Sequence, residues 1–183
     1  PVIAVQFNGF GGNGSNFNVI DTKPGDWLFD ANYTLKYAQA EDWSEIPPDK
    51  RETPEALKAA ADAYLDYFKD KTKQVPWGTP CDRLEGSAYT GKGTPQDSCN
   101  VGVPQNIDMA DRQYVIDPTI GAVDVMLKMG PNKRADSHVF RVENGKIRYI
   151  HTVTNCGKDD NCGLGNFADM LKKNPGMHPD IKG

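Results

Sequence analysis

The segment Asp136-Ser-His-Val-Phe-Arg-Val-Glu-Asn-Gly-Lys-Ile-Arg-Tyr-Ile-His-Thr-Val153 indicates two antiparallel strands joined by a tight turn. Its centre, Asn144-Gly145, is a strong hairpin signal, because a type I′ turn needs positive φ at both central positions. A turn at this dipeptide pairs Glu143 with Lys146 and fixes the register of every residue further out. The segment therefore predicts both a hairpin and the face on which each side chain lies.

The predicted register places two of the three histidines opposite each other, on one mostly apolar face of the hairpin. Strand periodicity assigns eight residues to that face: Asp136, His138, Phe140, Val142, Ile147, Tyr149, His151 and Val153. Paired imidazoles lie about 5 Å apart at Cβ. A neighbouring carboxylate, Asp136, would couple their protonation. The alternative is that each histidine is an ordinary hydrogen-bonded core residue.

Length and charge exclude several classes of protein. A chain of 183 residues can hold one ample core or two small ones. The net charge of −4 and the absence of a basic run argue against a nucleic-acid partner. No apolar run approaches the roughly 20 residues that a membrane span needs. A start at Pro1 without a signal peptide is what we expect of a processed or partial chain.

The four cysteines, Cys81, Cys99, Cys156 and Cys162, allow three disulfide pairings. Local pairing, Cys81–Cys99 and Cys156–Cys162, is the simplest, because each pair closes a glycine-rich loop. A zinc site is the rival interpretation, although the spacing is not that of a zinc finger.

Two glycosylation sequons point in the same direction as the cysteines. They are Asn13-Gly-Ser15 and Asn32-Tyr-Thr34. Together with paired cysteines they favour an oxidising, extracellular compartment. We therefore expect a secreted protein with glycan on Asn32 and Asn13.

The rest of the chain alternates strand and helix signals. Residues 1–21 indicate a strand, an exposed loop and a second strand, residues 27–37 an extended segment, and residues 38–50 an irregular connector. Thr53 and Pro54 are typical of a helix start, and apolar residues recur at helical spacing to about Asp70.

The segment 74–105 lacks periodicity and is predicted to be a long loop stapled by a disulfide. Residues 111–117 and 122–129 then indicate two strands before the hairpin. This order of elements predicts an α+β fold.

Several motifs in this order resemble a secreted fungal family of unknown function. They are Val75-Pro-Trp-Gly-Thr-Pro-Cys-Asp-Arg-Leu-Glu-Gly-Ser-Ala-Tyr-Thr-Gly91, Cys99-Asn-Val-Gly-Val-Pro104, Arg112-Gln-Tyr-Val-Ile-Asp117, Gly121-Ala-Val-Asp124, Asp136-Ser-His-Val-Phe-Arg-Val-Glu143 and Lys146-Ile-Arg-Tyr-Ile-His-Thr152. The match covers roughly residues 40–156. More loosely, these motifs are similar to the nuclear transport factor two-like superfamily, which includes scytalone dehydratase, SnoaL-like cyclases and ketosteroid isomerase.

The resemblance implies a curved antiparallel sheet wrapped on helices in a cone-like shape, with acid–base residues on its inner face. It also implies that residues 1–40 are the end of an incomplete first module of the same kind, residues 41–156 the cone-like domain, and residues 157–183 a loop-rich tail. An incomplete module would expose an apolar sheet face, so we expect a second chain or a homo-oligomer to complete residues 1–40.

The first functional hypothesis is a cofactor-independent lyase, dehydratase or isomerase that acts on a small molecule. In it His138 and His151 exchange the proton, Asp136 orients one imidazole, and Tyr149 or Tyr114 stabilises an oxyanion. The full motif of the dehydratase is absent, so its activity does not transfer. A metal held by the two histidines and Asp136 is a less favoured alternative.

The second hypothesis is a non-catalytic, secreted protein that binds a small molecule or carbohydrate, or acts as an interaction protein. Its candidate ligand contacts are aromatic residues in loops or at strand ends and charged residues of the predicted long loop. They are Trp27, Trp43, Trp77, Tyr89, Arg83 and Glu85. Neither hypothesis calls for a metal or cofactor.

Overall fold

A six-stranded sheet with one long helix on its inner face forms the body of the protein. The computed structural model describes residues 1–9, 16–27, 30–163, 165, 169 and 172. Its main elements, in chain order, are β1 (Ile3–Asn8), β2 (Asn16–Asp21), α1 (Ala31–Ala38), α2 (Pro54–Tyr67), β3 (Trp77–Glu85), β4 (Ala88–Tyr89), β5 (Met109–Asp117), β6 (Ala122–Met129), β7 (Arg134–Glu143) and β8 (Lys146–Thr154). The large sheet has the order β4-β3-β8-β7-β6-β5, and β1 and β2 form a separate hairpin. The predicted α+β class is confirmed.

Helix α2 begins where its sequence predicts. The Thr53 hydroxyl caps the first turn by accepting from the Ala56 amide, and Pro54 occupies the first helical position, where no amide hydrogen is needed. Five side chains of one stripe are buried: Leu57, Ala60, Ala61, Tyr64 and Leu65. This stripe packs on one face of the sheet, called here the inner face, and forms the core with strands β6, β7 and β8.

Helix α1 was predicted to be extended, and that prediction is wrong. The Asp30 carboxylate accepts from the Asn32 and Tyr33 amides and so caps the first turn of a helix. This capping outweighs the strand preference of the aromatic residues in the segment. The helix contacts β3 and β4 at the edge of the sheet.

The predicted loop 74–105 contains a strand that the sequence conceals. β3 pairs in parallel with β8 and makes a short antiparallel pair with β4. Gly78 and Pro80 interrupt any strand-like pattern in the sequence, but Gly78 has a packing role. A Cβ atom at Gly78 would lie 2.3 Å from the Ile147 carbonyl oxygen, so only glycine lets the two strands approach here.

The β7–β8 hairpin has the predicted turn but not the predicted register. Glu143 pairs with Lys146, and the next pair also follows the prediction, but Arg141 then pairs with Tyr149 rather than with Arg148. Arg148 is therefore an extra residue in β8, a β-bulge. Every pair beyond it is displaced by one residue.

The displaced register separates the two histidines. His138 pairs with Thr152, and His151 pairs with Val139. The predicted His138–His151 pair is thus wrong, because a one-residue displacement moves side chains of one strand to the other face.

Hairpin β1–β2 packs on the face of the sheet opposite α2, called here the outer face. The Gln6 amide donates to the Gln113 carbonyl and to the Asp124 carboxylate, at 3.0 and 3.1 Å. The opposite side of the hairpin is apolar and solvent-facing. Its large side chains are 48 to 63% exposed: Ile3, Val5, Phe17 and Val19. The predicted exposed apolar sheet face is present.

Both predicted disulfides are confirmed. Cys81 is bonded to Cys99 and Cys156 to Cys162, and the described chain has no free cysteine. Within the described ranges, no helix is long and apolar enough to cross a membrane. The predicted loop-rich tail, 157–183, lies mostly outside the described residues, as does Asn13.

The two disulfides are expected to differ in their contribution to stability. The bonds close loops with sequence separations of 18 and 6 residues. A double Cys→Ser variant should lower the free energy of unfolding by about 3 kcal/mol for Cys81–Cys99 and by about 2 kcal/mol for Cys156–Cys162. Urea denaturation checks this. A larger loss for the short loop would show that local packing, rather than loop entropy, determines the effect.

Candidate functional site

The structure divides the predicted histidine site into two centres on opposite faces of the sheet. His138 faces α2, since its ring lies 5.8 Å from that of Tyr64. His151 faces the connector that precedes α2, since its ring lies 5.2 Å from that of Trp43. Because they point in opposite directions, the two histidines cannot exchange one proton directly or share one metal ion.

The inner centre is a buried ion pair. The His138 Nδ1 atom lies 2.6 Å from Asp136 Oδ2, and the Thr154 hydroxyl donates to the other carboxylate oxygen at 2.5 Å. The His138 side chain is 1% exposed, and Asp136 is fully buried. The predicted orienting role of Asp136 is therefore geometrically possible, but only towards His138.

Burial alone would lower the pKa of His138, but the charge of Asp136 and the hydrogen bond to it outweigh burial and raise that pKa. His138 Nε2 is hydrogen-bonded to no described atom. Neither histidine lines any of four surface cavities that are bounded by described residues. Because His138 and Asp136 are almost completely buried, the inner centre has the features of a structural ion pair.

Two predicted ligand contacts, Arg83 and Glu85, also lie in this inner layer. The Arg83 guanidinium donates to the Tyr64 hydroxyl at 3.2 Å and to the Val101 carbonyl, and its Nε atom lies 3.3 Å from Glu85. Arg83 is 2% exposed, so these charges are part of the packed layer between β3 and α2 and do not line an open site.

Two other predicted site residues have structural contacts on the same side of the sheet. The Trp77 ring packs edge-on against Tyr64 and Tyr67, each at 5.7 Å. The Tyr114 hydroxyl donates to the Asp62 carboxylate at 2.6 Å. Tyr114 therefore does not share a site with Tyr149, which faces outward beside Trp43.

The outer centre is built on Glu41, which sequence analysis did not select. Its Oε2 atom lies 2.5 Å from His151 Nε2 and accepts from the Trp43 indole nitrogen at 2.8 Å. The Glu41 side chain is 1% exposed, whereas His151 is 21% exposed. The arrangement is a buried carboxylate that orients an imidazole within reach of solvent, which is a common design for acid–base chemistry.

Strand pairing places further polar groups beside this dyad. Leu84 pairs with His151 on one side and with Tyr89 on the other, so both polar residues lie in one row of the outer face. Asp82 pairs with Tyr149 in the adjacent row. Of the predicted site residues, the structure brings together His151, Tyr149 and Tyr89.

Asp82 and Arg148 complete the outer centre. Arg148 donates to Asp82 Oδ2 at 2.7 Å, and its guanidinium lies 4.1 Å above the Tyr149 ring. Burial raises the pKa of Asp82 against the opposing effect of Arg148, and burial together with the charges of Glu41 and Asp82 raises the pKa of Tyr89. Tyr89 thus keeps its proton at neutral pH and remains a hydrogen-bond donor.

The sequence contained only a faint signal for this centre. Glu41, Asp42 and Trp43 form an acidic and aromatic triplet in a segment without periodicity. Glu41 is buried against His151, which is 110 positions away in the sequence. His151 faces Glu41 only because of the β-bulge in β8.

The two histidines are expected to respond differently to replacement by glutamine. His138→Gln should lower the free energy of unfolding by about 3–5 kcal/mol, because it leaves the buried Asp136 charge without its partner. His151→Gln should cost less, since that side chain is 21% exposed and the buried Glu41 carboxylate keeps the Trp43 indole as a donor. Thermal and urea unfolding of both variants measures this, and equal losses would contradict the assignment of His138 to the core.

The same ion pair predicts a pH dependence of stability. Because the pKa of His138 is raised in the folded state, its contribution is complete below the unfolded pKa of about 6.5 and is lost as pH rises through the folded value. The unfolding free energy of the wild type should fall over that interval. His138→Gln should lack this component, so a difference between the two proteins that is constant with pH would refute the coupling.

Comparison with known proteins bears on the family and leaves the activity open. A search of curated proteins found no match. One family model, described as a domain of unknown function, DUF8021, matches residues 50–154. That range contains α2 and the whole large sheet. The match spans more than half of the chain, and the chain therefore belongs to the DUF8021 family.

Proposed function

We propose that this is a secreted protein directed at a small molecule, with an acid–base site formed by Glu41 and His151 on the outer face of the sheet. The observation that carries the proposal is the pairing of a 1% exposed carboxylate with a partly exposed imidazole at 2.5 Å. This site replaces the predicted pair of histidines, which the register of β7 and β8 separates.

The dyad supports general acid–base chemistry through the second ring nitrogen of His151. Glu41 accepts the hydrogen of Nε2, which leaves the lone pair on Nδ1 in the neutral ring. No hydrogen bond joins Nδ1 to a described residue, and the His151 side chain is 21% exposed. When Nδ1 takes a proton from the ligand, the imidazolium is stabilised by the Glu41 carboxylate.

A lyase or isomerase reaction without a cofactor fits these groups best. Such reactions move a proton at carbon and develop negative charge on a neighbouring oxygen, which a neutral hydroxyl can stabilise. The raised pKa of Tyr89 suits it to that role, and Tyr149 is the second candidate in the same cluster. Tyr114 is left out because its hydroxyl is bonded to Asp62 on the other face.

A non-catalytic ligand-binding role is the second candidate, and the walls of the site favour it. Trp43 stacks on Tyr149 at 5.8 Å, and Tyr37 stacks on Tyr89 at 4.3 Å. Stacked aromatic side chains beside fixed polar groups are typical of recognition sites, whether or not a reaction follows.

Secretion and glycosylation belong to the same proposal. Two disulfides are typical of proteins that mature in an oxidising compartment. The Asn32 sequon lies at the exposed beginning of α1, where an oligosaccharide has room. The fungal source, the relationship to the nuclear transport factor two-like superfamily and the cone-like repeat rest on the sequence resemblance alone.

A second copy of the chain is the partner that we propose for the apolar side of hairpin β1–β2. That side presents a ladder in which Val5 faces Val19 and Phe7 faces Phe17, without a charge at its centre. Such a ladder is complementary to itself under twofold symmetry, which is the commonest symmetry of homodimers.

The acid–base site predicts that ligands will perturb His151. A fragment screen of carbonyl compounds, hydroxy acids and glycosides, monitored by the imidazole carbon–proton signals in NMR, should find compounds that shift this residue. Affinity should fall about tenfold or more in Glu41→Gln and His151→Gln. Glu45→Gln, an exposed carboxylate in the same connector, is the matched control. Ligands that bind equally well to Glu41→Gln would contradict the proposal.

The proposed dimer predicts a concentration-dependent mass. Light scattering coupled to size exclusion should show a dimer for the wild type and a monomer for a Val5→Thr, Phe17→Ser double variant. The reason is that these substitutions remove apolar area from the proposed contact. A wild-type monomer at high concentration would exclude a second copy as the partner.

A further inference from the structure

We propose that the outer site takes a neutral, polyhydroxylated ligand of the sugar type. This inference rests on the proposed function and names its ligand class. Its starting point is two buried carboxylate oxygens, Glu41 Oε1 and Asp82 Oδ1, which no described donor meets with good hydrogen-bond geometry, although the Tyr89 hydroxyl lies close enough to the Glu41 carboxylate for that contact to raise the Tyr89 pKa. Their side chains are 1% and 9% exposed. Buried acceptors without a donor are costly, so an occupant that supplies donors is expected.

The two acceptors converge on one place in the outer face. Gly91 borders it: a Cβ atom at Gly91 would lie 2.5 Å from Asp82 Oδ1 and 2.6 Å from Cε1 of the Tyr89 ring. Asp82 and His151 lie in adjacent rows of β3 and β8, and Glu41 reaches His151 from the connector. Asp82, Tyr89, His151 and Glu41 thus lie at neighbouring positions of the outer face.

Charge in the site favours neutral donors over ions. The second oxygen of Asp82 is already paired with Arg148, which stays protonated, and that of Glu41 accepts two nitrogen donors. An ammonium group would enter beside the Arg148 guanidinium, and an anion would enter beside two carboxylates. Hydroxyl groups are uncharged, so neither the guanidinium nor the carboxylates repel them, and they can donate hydrogen bonds to both free oxygens.

Aromatic side chains border the outer centre and offer a sugar ring the parts of their surfaces that are not already stacked. Trp43 stacks on Tyr149, and Tyr37 stacks on Tyr89. Trp43 and Tyr89 are only half-buried, so parts of their rings are accessible to a ligand. Polar groups that fix orientation, set between aromatic surfaces, form the pattern expected for a ring with hydroxyls at its rim.

Three sugars of different charge test the proposal: methyl glucoside, glucosamine and glucuronate. Saturation-transfer NMR and His151 chemical shifts should show that the neutral glucoside binds more tightly than either ion. Its affinity should fall about tenfold in Glu41→Gln and in Asp82→Asn, each of which removes one charged acceptor. Glu45→Gln should leave binding unchanged.

Two further variants keep the test decisive where the carboxylate variants fail to fold. Tyr89→Phe removes only the hydroxyl, and Gly91→Ala places a methyl group against Asp82 Oδ1. Both should weaken binding of the glucoside.

The outcomes separate the two proposals. Tighter binding of glucosamine or glucuronate would overturn the neutral ligand class. Shifts of His151 by other fragments but by no glycoside would overturn the sugar assignment and leave the acid–base site intact. A screen in which no compound shifts His151 would overturn both.

Discussion

In β8, Arg148 has no partner across the β7–β8 ladder, and the groups that occupy each face of the sheet depend on this one inserted residue. On the turn side of it, pairing follows the simple count from Asn144-Gly145. Beyond it, His151 faces outward while His138 faces α2. The bulge also directs Arg148 to Asp82, so the residue that displaces the register is itself part of the outer centre.

The sequence was a good guide wherever local chemistry determines structure. Residues close in sequence predict the N-cap of α2, the turn at Asn144-Gly145 and the four antiparallel strands β5 to β8. The prediction from sequence was wrong for α1, where the carboxylate cap at Asp30 outweighs the strand preference of the aromatic residues. It was also wrong for β3, because its glycine and proline are typical of a loop. β3 depends on a partner that is remote in the chain, whereas the cap of α1 is a local signal that the prediction did not use.

The same distinction explains the candidate site. His151 and Tyr149 could be selected because they follow a recognisable turn, and the disulfides could be paired by loop closure. Glu41 could not be selected, since nothing near it in the sequence indicates burial. Its importance arises from contact with a strand at the far end of the domain. A bulge inserts a residue that the amino-acid composition does not reveal. Regular period-two alternation therefore predicted that the two histidines pair, and this prediction was incorrect.

The parallel pairing of β3 with β8 has a consequence for the order in which the chain folds. Four strands separate the two in sequence, so β3 has only its short pair with β4 until the final hairpin has formed. During synthesis β3 would leave the ribosome well before its partner, and its disulfide to Cys99 can close earlier than the sheet. Long-range pairing of this kind slows folding and leaves the strand transiently unpaired. The disulfide-closed loop between Cys81 and Cys99 would then restrict the conformations of β3 before β8 is available to pair with it.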